Sequence, residues 1–305
     1  MNHLKNIIII LLLIVYSLFA ETPPKHFVEA KKEEVVVESQ LLPFCLIKGN
    51  RFRLGDVFNE GDVDEKPVSY VTLGDFMIST YEITVGQFEQ FVSESHYVTD
   101  AEKEGWAFVW DGAAWSKDYG STFRQPGFSQ TESHPVVCVS WNDAVAFCKW
   151  FSQKTKFAVR LPTEAEWEFA AREGGMRPRY GWGNGGPSGN VADESAAGKF
   201  SQLKYWSGYN DGFVFTSPVG SFRPNMLGLY DMSGNVLEWC ADSYGEYTQN
   251  EKINPHTVSD DAFRVLRGGS WMNGETAVRT TTRSRLHQSY RGSRVGFRIV
   301  REMKN

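Results

Sequence analysis

Apolar and polar positions along this chain come in short blocks, and three of the blocks combine helical spacing with a start signal. Thr84 and Gln87 form a capping box ahead of Phe88, Phe91 and Val92, which fall on one helical face. Ser140 with Asp143 opens a second helix, whose inner face is Ala144, Phe147, Cys148 and Phe151. Thr163 with Glu166, after Pro162, opens a third, in which Trp167, Ala170 and Ala171 face inward and Gly174-Gly175 ends the run. Two blocks read as strands: Val136–Val139, and Val295–Val300, where Val295, Phe297 and Ile299 alternate with Gly296, Arg298 and Val300. Elsewhere Gly, Pro, Asn and Asp dominate, with scattered Trp and Tyr. The pattern predicts an α+β fold with little regular structure.

The N-terminal block differs. Lys5 precedes an apolar run from Ile7 to Phe19, broken by Tyr16 and Ser17, and Ala20 offers a cleavage point before Glu21. This is the layout of a secretory signal peptide over residues 1–20, and the run falls short of the roughly 17–25 residues that span a bilayer. Membrane contact would arise only if that segment stayed uncleaved. The first cysteine is Cys45, which argues against a lipoprotein anchor. Residues 21–43 hold Pro and the mixed run Lys31-Lys32-Glu33-Glu34, and read as a flexible tether. A single domain is expected over 44–305. The predicted location is outside the cytoplasm: periplasm, outer surface or secreted.

Composition sharpens this picture in two ways. Aromatics make up 14% of the 305 residues, with ten Trp, and there are 28 Gly, which suits large rings packed among irregular loops. The net charge of −5 gives the whole molecule no attraction for nucleic acid, and no nucleic-acid partner is expected. Four cysteines, Cys45, Cys138, Cys148 and Cys240, allow three pairings, and none sits in C-x-x-C or zinc-like spacing; buried thiols or one disulfide are expected.

A series of motifs then points to one family. Phe52-Arg53-Leu54-Gly55, Asp64-Glu65-Lys66-Pro67-Val68 and Tyr81-Glu82-Ile83-Thr84 are followed by His134-Pro135-Val136 and Val139-Ser140-Trp141-Asn142-Asp143-Ala144. Next come Arg160-Leu161-Pro162-Thr163-Glu164-Ala165-Glu166-Trp167-Glu168 and Tyr180-Gly181-Trp182-Gly183-Asn184. Gly234-Asn235-Val236-Leu237-Glu238-Trp239, Arg267-Gly268-Gly269-Ser270-Trp271 and Gly296-Phe297-Arg298 complete the order. The chain from Phe44 onward resembles the formylglycine-generating-enzyme (sulfatase-modifying-factor) family, which implies a loop-rich, C-type-lectin-like core.

The resemblance also says what to look for. The family's oxidase holds copper on two cysteines, three and eight residues after the Ser of Gly-Gly-Ser; here those positions are Asn273 and Val278. Copper(I) needs soft thiolate ligands, so no copper and no catalytic residue are expected. A sister branch uses iron on histidines, but the six His include no H-x-x-x-H, and His134, His256 and His287 are scattered. Calcium is implied in a structural role, through hard oxygen ligands. The matching positions are Asn190, the Val191 carbonyl, Asp211 and the Phe213 carbonyl for one ion, and Asp231, the Gly234 and Val236 carbonyls and Glu238 for a second. Ordinary turn hydrogen bonds are the alternative role for these acids.

The segment Trp271 to Arg294 would line the family's substrate groove. Ser270, Trp271, Asn273, Glu275, Arg279, Arg283, Arg285, Tyr290 and Arg291 are the candidate ligand-binding residues, since Arg, Tyr and Trp dominate binding surfaces. For Arg279, Arg283 and Arg298 the alternative is that they are internal struts paired with acids such as Glu166 or Glu238. The stretch from Gly268 to Arg298 also resembles the variable region of retroelement-diversified lectin-fold proteins. Together these features predict an exported, non-catalytic binding or scaffold protein that presents its C-terminal groove to a protein or peptide ligand. The alternatives are a modifying enzyme or oxidoreductase using other chemistry, and a structural part of a cell-envelope assembly.

Overall fold

The computed structural model describes residues 32–37 and 40–303; the expected signal peptide and the start of the tether lie outside the described residues. Lys32–Val37 (β1) and Gln40–Ile47 (β2) form an antiparallel hairpin, with Lys32 opposite Cys45. This corrects the tether boundary. The lysines and glutamates before Val35-Val36-Val37 suggested solvation, but three β-branched residues in a row favour a strand once a partner is at hand.

Arg51–Leu54 (β3) pairs with Ser69–Thr72 (β4), and Phe76–Ser79 (β5) leads to helix α1 (Val85–Ser95). A short helix α2 (Asp100–Glu104) precedes the hairpin Trp106–Trp110 (β6) and Trp115–Tyr119 (β7). Then come α3 (Trp141–Thr155), β8 (Val159–Arg160), α4 (Glu164–Ala171) and α5 (Glu194–Lys199). The C-terminal third supplies β9 (Leu237–Ser243), β10 (Lys252–Ile253), β11 (Phe263–Arg267), β12 (Ser284–His287), β13 (Val295–Gly296) and β14 (Val300–Arg301). One sheet runs β1-β2-β5-β14-β8, a second β12-β11-β9-β13 and a third β10-β4-β3. In the first, β14 is inserted between β5 and β8, so the first and last strands of the described residues share one sheet.

The three expected helices form where their caps sit, each with a reciprocal box at Thr84, Ser140 and Thr163. A fourth box, at Thr99, starts α2, which the sequence pattern had not marked because its five residues carry no apolar face. The inner faces of α1 and α3 meet in a ring cluster: Phe88 lies 5.0 Å from Phe123 and 5.2 Å from Phe91, and Phe147 lies 5.4 Å from Phe297. Helix α4 is buried along its whole length, glutamates included. Its acids must therefore be paired internally, which organises the site below.

Neither expected strand forms as drawn. Val136–Val139 is fully buried but irregular: Cys138 adopts a left-handed φ of 58°, and the amides of Val136 and Cys138 bond to different partners, Ile83 and Gly292. Val295–Val300 splits, β13 joining β9 in one sheet and β14 joining β5 and β8 in another. Gly296 and Arg298 are as buried as the apolar residues between them, because this segment is enclosed on both sides. Among the described residues no helix is long and apolar enough to cross a membrane.

Candidate functional site

At the centre of the fold three carboxylates surround one guanidinium. Arg298, between β13 and β14, is held bidentately by Glu238 of β9, Nε to Oε2 at 2.6 Å and Nη2 to Oε1 at 2.8 Å. Trp167 Nε1 of α4 donates to the same Glu238 Oε2 at 2.7 Å. Arg298 also donates to the carbonyls of Ser79 and Tyr230. That pair is electrically closed, so the two neighbouring acids are surplus. Glu82, just ahead of the α1 cap, accepts from Asn235 Nδ2 at 3.0 Å through Oε1, while its Oε2 is buried with no donor. Asp231, with a left-handed φ of 58°, accepts from the Gly220 amide at 2.7 Å through Oδ2, and its Oδ1 is buried with no donor.

Burial pushes both acids up. Asp231 rises to about 6, and Glu82 rises well above the usual carboxylate range, the Asp231 charge adding to the effect of burial. Two unpaired anionic oxygens in one buried site require a proton or a cation. Close by, Asn190 donates through Nδ2 to Phe215 O at 2.8 Å and Asn235 Oδ1 at 3.1 Å, and its own Oδ1 is buried without a donor.

These orphan oxygens test the calcium positions one by one. Asp231 Oδ1 and Asn190 Oδ1 have the hard, unspent character a calcium ion needs. Glu238 does not, because Arg298 and Trp167 already engage both of its oxygens. Asp211 likewise spends Oδ1 on the Phe213 amide at 2.7 Å and Oδ2 on the Val191 amide at 3.0 Å, as in a turn; burial lifts it to about 7. Glu82 offers a free oxygen that sequence reasoning passed over. It stands in the quoted Tyr81-Glu82-Ile83-Thr84 motif, but nothing in the sequence marks a Glu before a cap as buried. Among the described residues no three His, Cys, Asp or Glu converge as a metal centre. An ion at Asn190 would therefore depend on the Val191 and Phe213 carbonyls as well, and one at Asp231 on those of Gly234 and Val236.

The two positions where the copper oxidase carries cysteine lie in the loop after β11. Asn273 accepts from Ser270 Oγ at 2.7 Å and its carbonyl takes the Ala192 amide at 3.0 Å. Val278 is completely buried and packs with Tyr180 and Val191, with Trp182, Trp206 and Tyr209 against them. Tyr180 and Trp182 stack at 4.9 Å, and Trp206 meets Tyr180 edge-on at 5.3 Å. Gly269, at φ 70°, is required here: a Cβ would lie 2.7 Å from Val278 Cγ1 and 2.9 Å from the Ala277 carbonyl. All four cysteines are buried, and burial pushes the thiols of Cys138, Cys148 and Cys240 up, away from the thiolate form. The histidines bond locally, His134 to Thr131 and His287 to Ser289.

The expected ligand-binding face is mostly internal. Trp271 is buried among Phe128, Phe200 and Phe215 and donates to Ser293 O at 3.2 Å; Ser270 is buried beside it. Arg279 binds Glu65 through both terminal nitrogens, at 2.9 and 2.6 Å. Arg283 binds Glu164 at 2.6 and 2.8 Å and lies over the rings of Tyr244 and Tyr247. Arg291 reaches Glu104 at 2.7 Å across the Trp106 ring. These five side chains are corrected to framework: Trp271, Arg279, Arg283 and Arg291 each find a partner from a distant part of the chain, and Ser270 is buried with its hydroxyl on Asn273. Asn273, Glu275, Arg285 and Tyr290 keep access to solvent, but in different settings. Glu275 is beside Arg179, Arg285 lies over Tyr244, and Tyr290 stacks on Phe108 at 4.7 Å.

Comparison with known proteins gives a consistent answer. The sulfatase-modifying factor enzyme 1-like domain family matches residues 31–303. The formylglycine-generating enzyme of Streptomyces coelicolor is 35% identical over 291 residues, 84% of this chain and 88% of that one. The inactive C-alpha-formylglycine-generating enzyme 2 of Bos taurus is also 35% identical, over 298 residues covering 86% of this chain and 88% of its own. Among solved structures, PvdO from Pseudomonas aeruginosa superposes with a TM-score of 0.73 at 27% identity, covering 89% of this chain and 98% of that one. Treponema denticola variable protein 1 shares the fold, with a TM-score of 0.64 at 23% identity over 92% of this chain and 100% of that one.

Proposed function

We propose, because the chain belongs to the sulfatase-modifying factor family while its two copper-ligand positions are Asn273 and Val278, that it is a non-catalytic member: an exported binding or scaffold protein. The observation that carries this reading is the chemistry at those two positions. Asn273 spends its side-chain oxygen on Ser270, and Val278 is sealed under an aromatic cluster, so neither an amide nor an isopropyl group stands ready to hold a soft metal. Cys138, Cys148 and Cys240 lie in three different clusters of the core, and their buried thiols favour the protonated form, which is a poor ligand. A relative of equal identity that bears the word inactive in its name supports the same conclusion.

Under this reading the surface near Asn273, Glu275 and Tyr290 meets a protein or peptide ligand. Calcium, held at Asn190 for one ion and at Asp231 with Glu82 for a second, each with nearby carbonyls, orders the loops that carry that surface. Its chemistry is limited to neutralising the surplus acids. The test is oxygen uptake by the chain, run separately with copper(I) and with iron(II), in the presence of a thiol-containing peptide. No uptake above a heat-denatured control is expected. Metal-dependent uptake would overturn the non-catalytic reading and favour a modifying enzyme with a different ligand set.

A further inference from the structure

The buried arginines of this fold end on carboxylates. Arg267 meets Glu168, Arg279 meets Glu65, Arg283 meets Glu164 and Arg298 meets Glu238. Arg294 ends on none. Among the described residues no carboxylate forms an ion pair with it, and the Tyr290 hydroxyl, which takes a hydrogen bond from it, is the one ionisable neighbour that favours its charge. Its Nε is buried without an acceptor, Nη1 reaches only the Met272 sulfur at 3.6 Å, and the guanidinium lies 4.4 Å from the Trp115 ring. Burial pulls its pKa down, whereas Arg279, Arg283 and Arg298 are pushed up by their acids. The residue keeps part of its surface exposed, although its Nε is buried.

Two more donors go unused at the same place. Trp110 Nε1 is buried with no acceptor, and its ring lies 5.6 Å from Trp115 in the cluster that also contains Met272. Ser293, the residue before Arg294, has a buried hydroxyl with no partner, while its carbonyl takes the Trp271 indole. The unspent groups are an N–H of a cation, an indole N–H and an O–H. Unpaired buried donors cost stability unless something accepts from them. Their complement is an anionic acceptor.

We propose that Arg294, with Trp110 and Ser293, forms a carboxylate-binding site for a peptide, whose apolar or aromatic residue beside the carboxylate lies against Trp115 and Tyr290. A carboxylate fits better than a phosphate. One guanidinium neutralises one charge in a planar fork, and a phosphate dianion would leave a net charge among aromatic rings. The peptide as the source of the carboxylate rests on the binding reading above; the site itself rests on the unpaired donors.

The test is calorimetric titration of the full chain with four probes. N-acetylphenylalanine carries an α-carboxylate, N-acetylaspartylphenylalaninamide a side-chain carboxylate and N-acetylphenylalaninamide none, and inorganic phosphate is the fourth. At least one acid should bind saturably and about tenfold or more tighter than the neutral amide, as expected of a hydrogen bond to a charged group. Which acid binds tells a chain terminus from an acidic side chain. Arg294→Gln should erase the difference between acid and amide, Arg294→Lys should keep part of it, and Trp115→Leu should weaken both acids while leaving the preference. If Arg294→Gln does not fold, the wild-type melting temperature decides, rising with the acid and not with the amide. Equal binding of acid and amide, no binding of either, tighter binding of phosphate, or a preference that survives Arg294→Gln would each overturn the proposal. Oxygen uptake is read separately, so an acid preference alongside uptake would mark a substrate subsite and refute only the non-catalytic reading.

Discussion

Asp231→Asn should change the sign of its effect on stability when calcium is added. Without a cation, Asp231 Oδ1 has no donor and the carboxyl rises from an ordinary 3.8 to about 6. The folded state therefore holds this proton more tightly than the unfolded state does, so metal-free stability falls as pH rises from 3.8 through 6 and is level above 7. The difference corresponds to about 3 kcal/mol against the folded state at pH 8. Asparagine removes that charge but keeps an oxygen for the Gly220 amide, giving back about 1 kcal/mol because the acceptor is now neutral. The net gain in chelator is about 2 kcal/mol, or roughly 4–8 °C in melting temperature for a domain of this size.

Calcium reverses the order. At a concentration one hundred times its Kd, an ion that binds only the native state stabilises by about 2.7 kcal/mol. The wild type receives this and the variant, missing one anionic ligand, does not. The variant should then melt about 1–3 °C below the wild type, the wild type keeping a margin of about 0.7 kcal/mol. At pH 5 in chelator, below the folded pKa, most of the difference between the two should disappear. The assay is differential scanning calorimetry at pH 5 and 8, in chelator and in calcium. A variant that stays more stable by one fixed margin in both buffers would remove calcium from the site and leave Glu82 and Asp231 sharing a proton. A variant equally destabilised in both would refute the orphan-oxygen argument itself.

Three further outcomes are expected. Arg283→Ala leaves the buried Glu164 charge with only the longer contact to Arg267, at 3.6 Å, and should cost about 3 kcal/mol in urea denaturation; a loss below about 1 would mean that the pair is solvated. Burial works against the Glu65 carboxylate, but Arg279 more than offsets it and holds the group below its usual range. Its contribution should thus be present at neutral pH and fall away as acid takes the pH below the ordinary glutamate value, and Glu65→Gln should flatten that part of the acid denaturation curve. Restoring both ligands with Asn273→Cys and Val278→Cys should create a copper(I) site of one equivalent, read by competition with a chromogenic chelator; failure to bind copper under reducing conditions would show that this loop does not follow the oxidase's frame.

The parts of the fold legible in the sequence are those whose cause is local. A capping box needs four consecutive residues, so the starts of α1, α3 and α4 at Thr84, Ser140 and Thr163 are visible without any partner. The strand expected at Val136–Val139 depends on what lies beside it. That segment is met by Ile83 on one side and Gly292 on the other, so its β-branched residues fill a core without joining a ladder. The β1–β2 hairpin was hidden by its charged start. The calcium positions came from resemblance, which pointed to Asp231 and Asn190, two residues whose buried oxygens lack a donor. It could not show that Glu238 is spent on Arg298, or that Glu82 faces the same site from 149 residues upstream of Asp231 in the chain.

The arginines of the C-terminal segment give the clearest case of a signal with two meanings. Arg, Tyr and Trp are enriched at binding surfaces because they bring large contact area and directed hydrogen bonds. A loop-rich fold needs the same properties inside, where few regular hydrogen bonds fix one segment against another. Arg279 reaches Glu65 across 214 positions and Arg283 reaches Glu164 across 119, so each ties a late loop to an early one. Such ties cost desolvation on both partners, and removing one partner exposes the whole cost. They are therefore evidence of specificity in the loop arrangement more than of net stability. The same reasoning separates Arg294 from its neighbours. It bears the desolvation cost without an acid to offset it, in a fold that supplies an acid to Arg267, Arg279, Arg283 and Arg298. A cation left unmatched next to unspent indole and hydroxyl donors is what distinguishes a place prepared for a ligand from a strut.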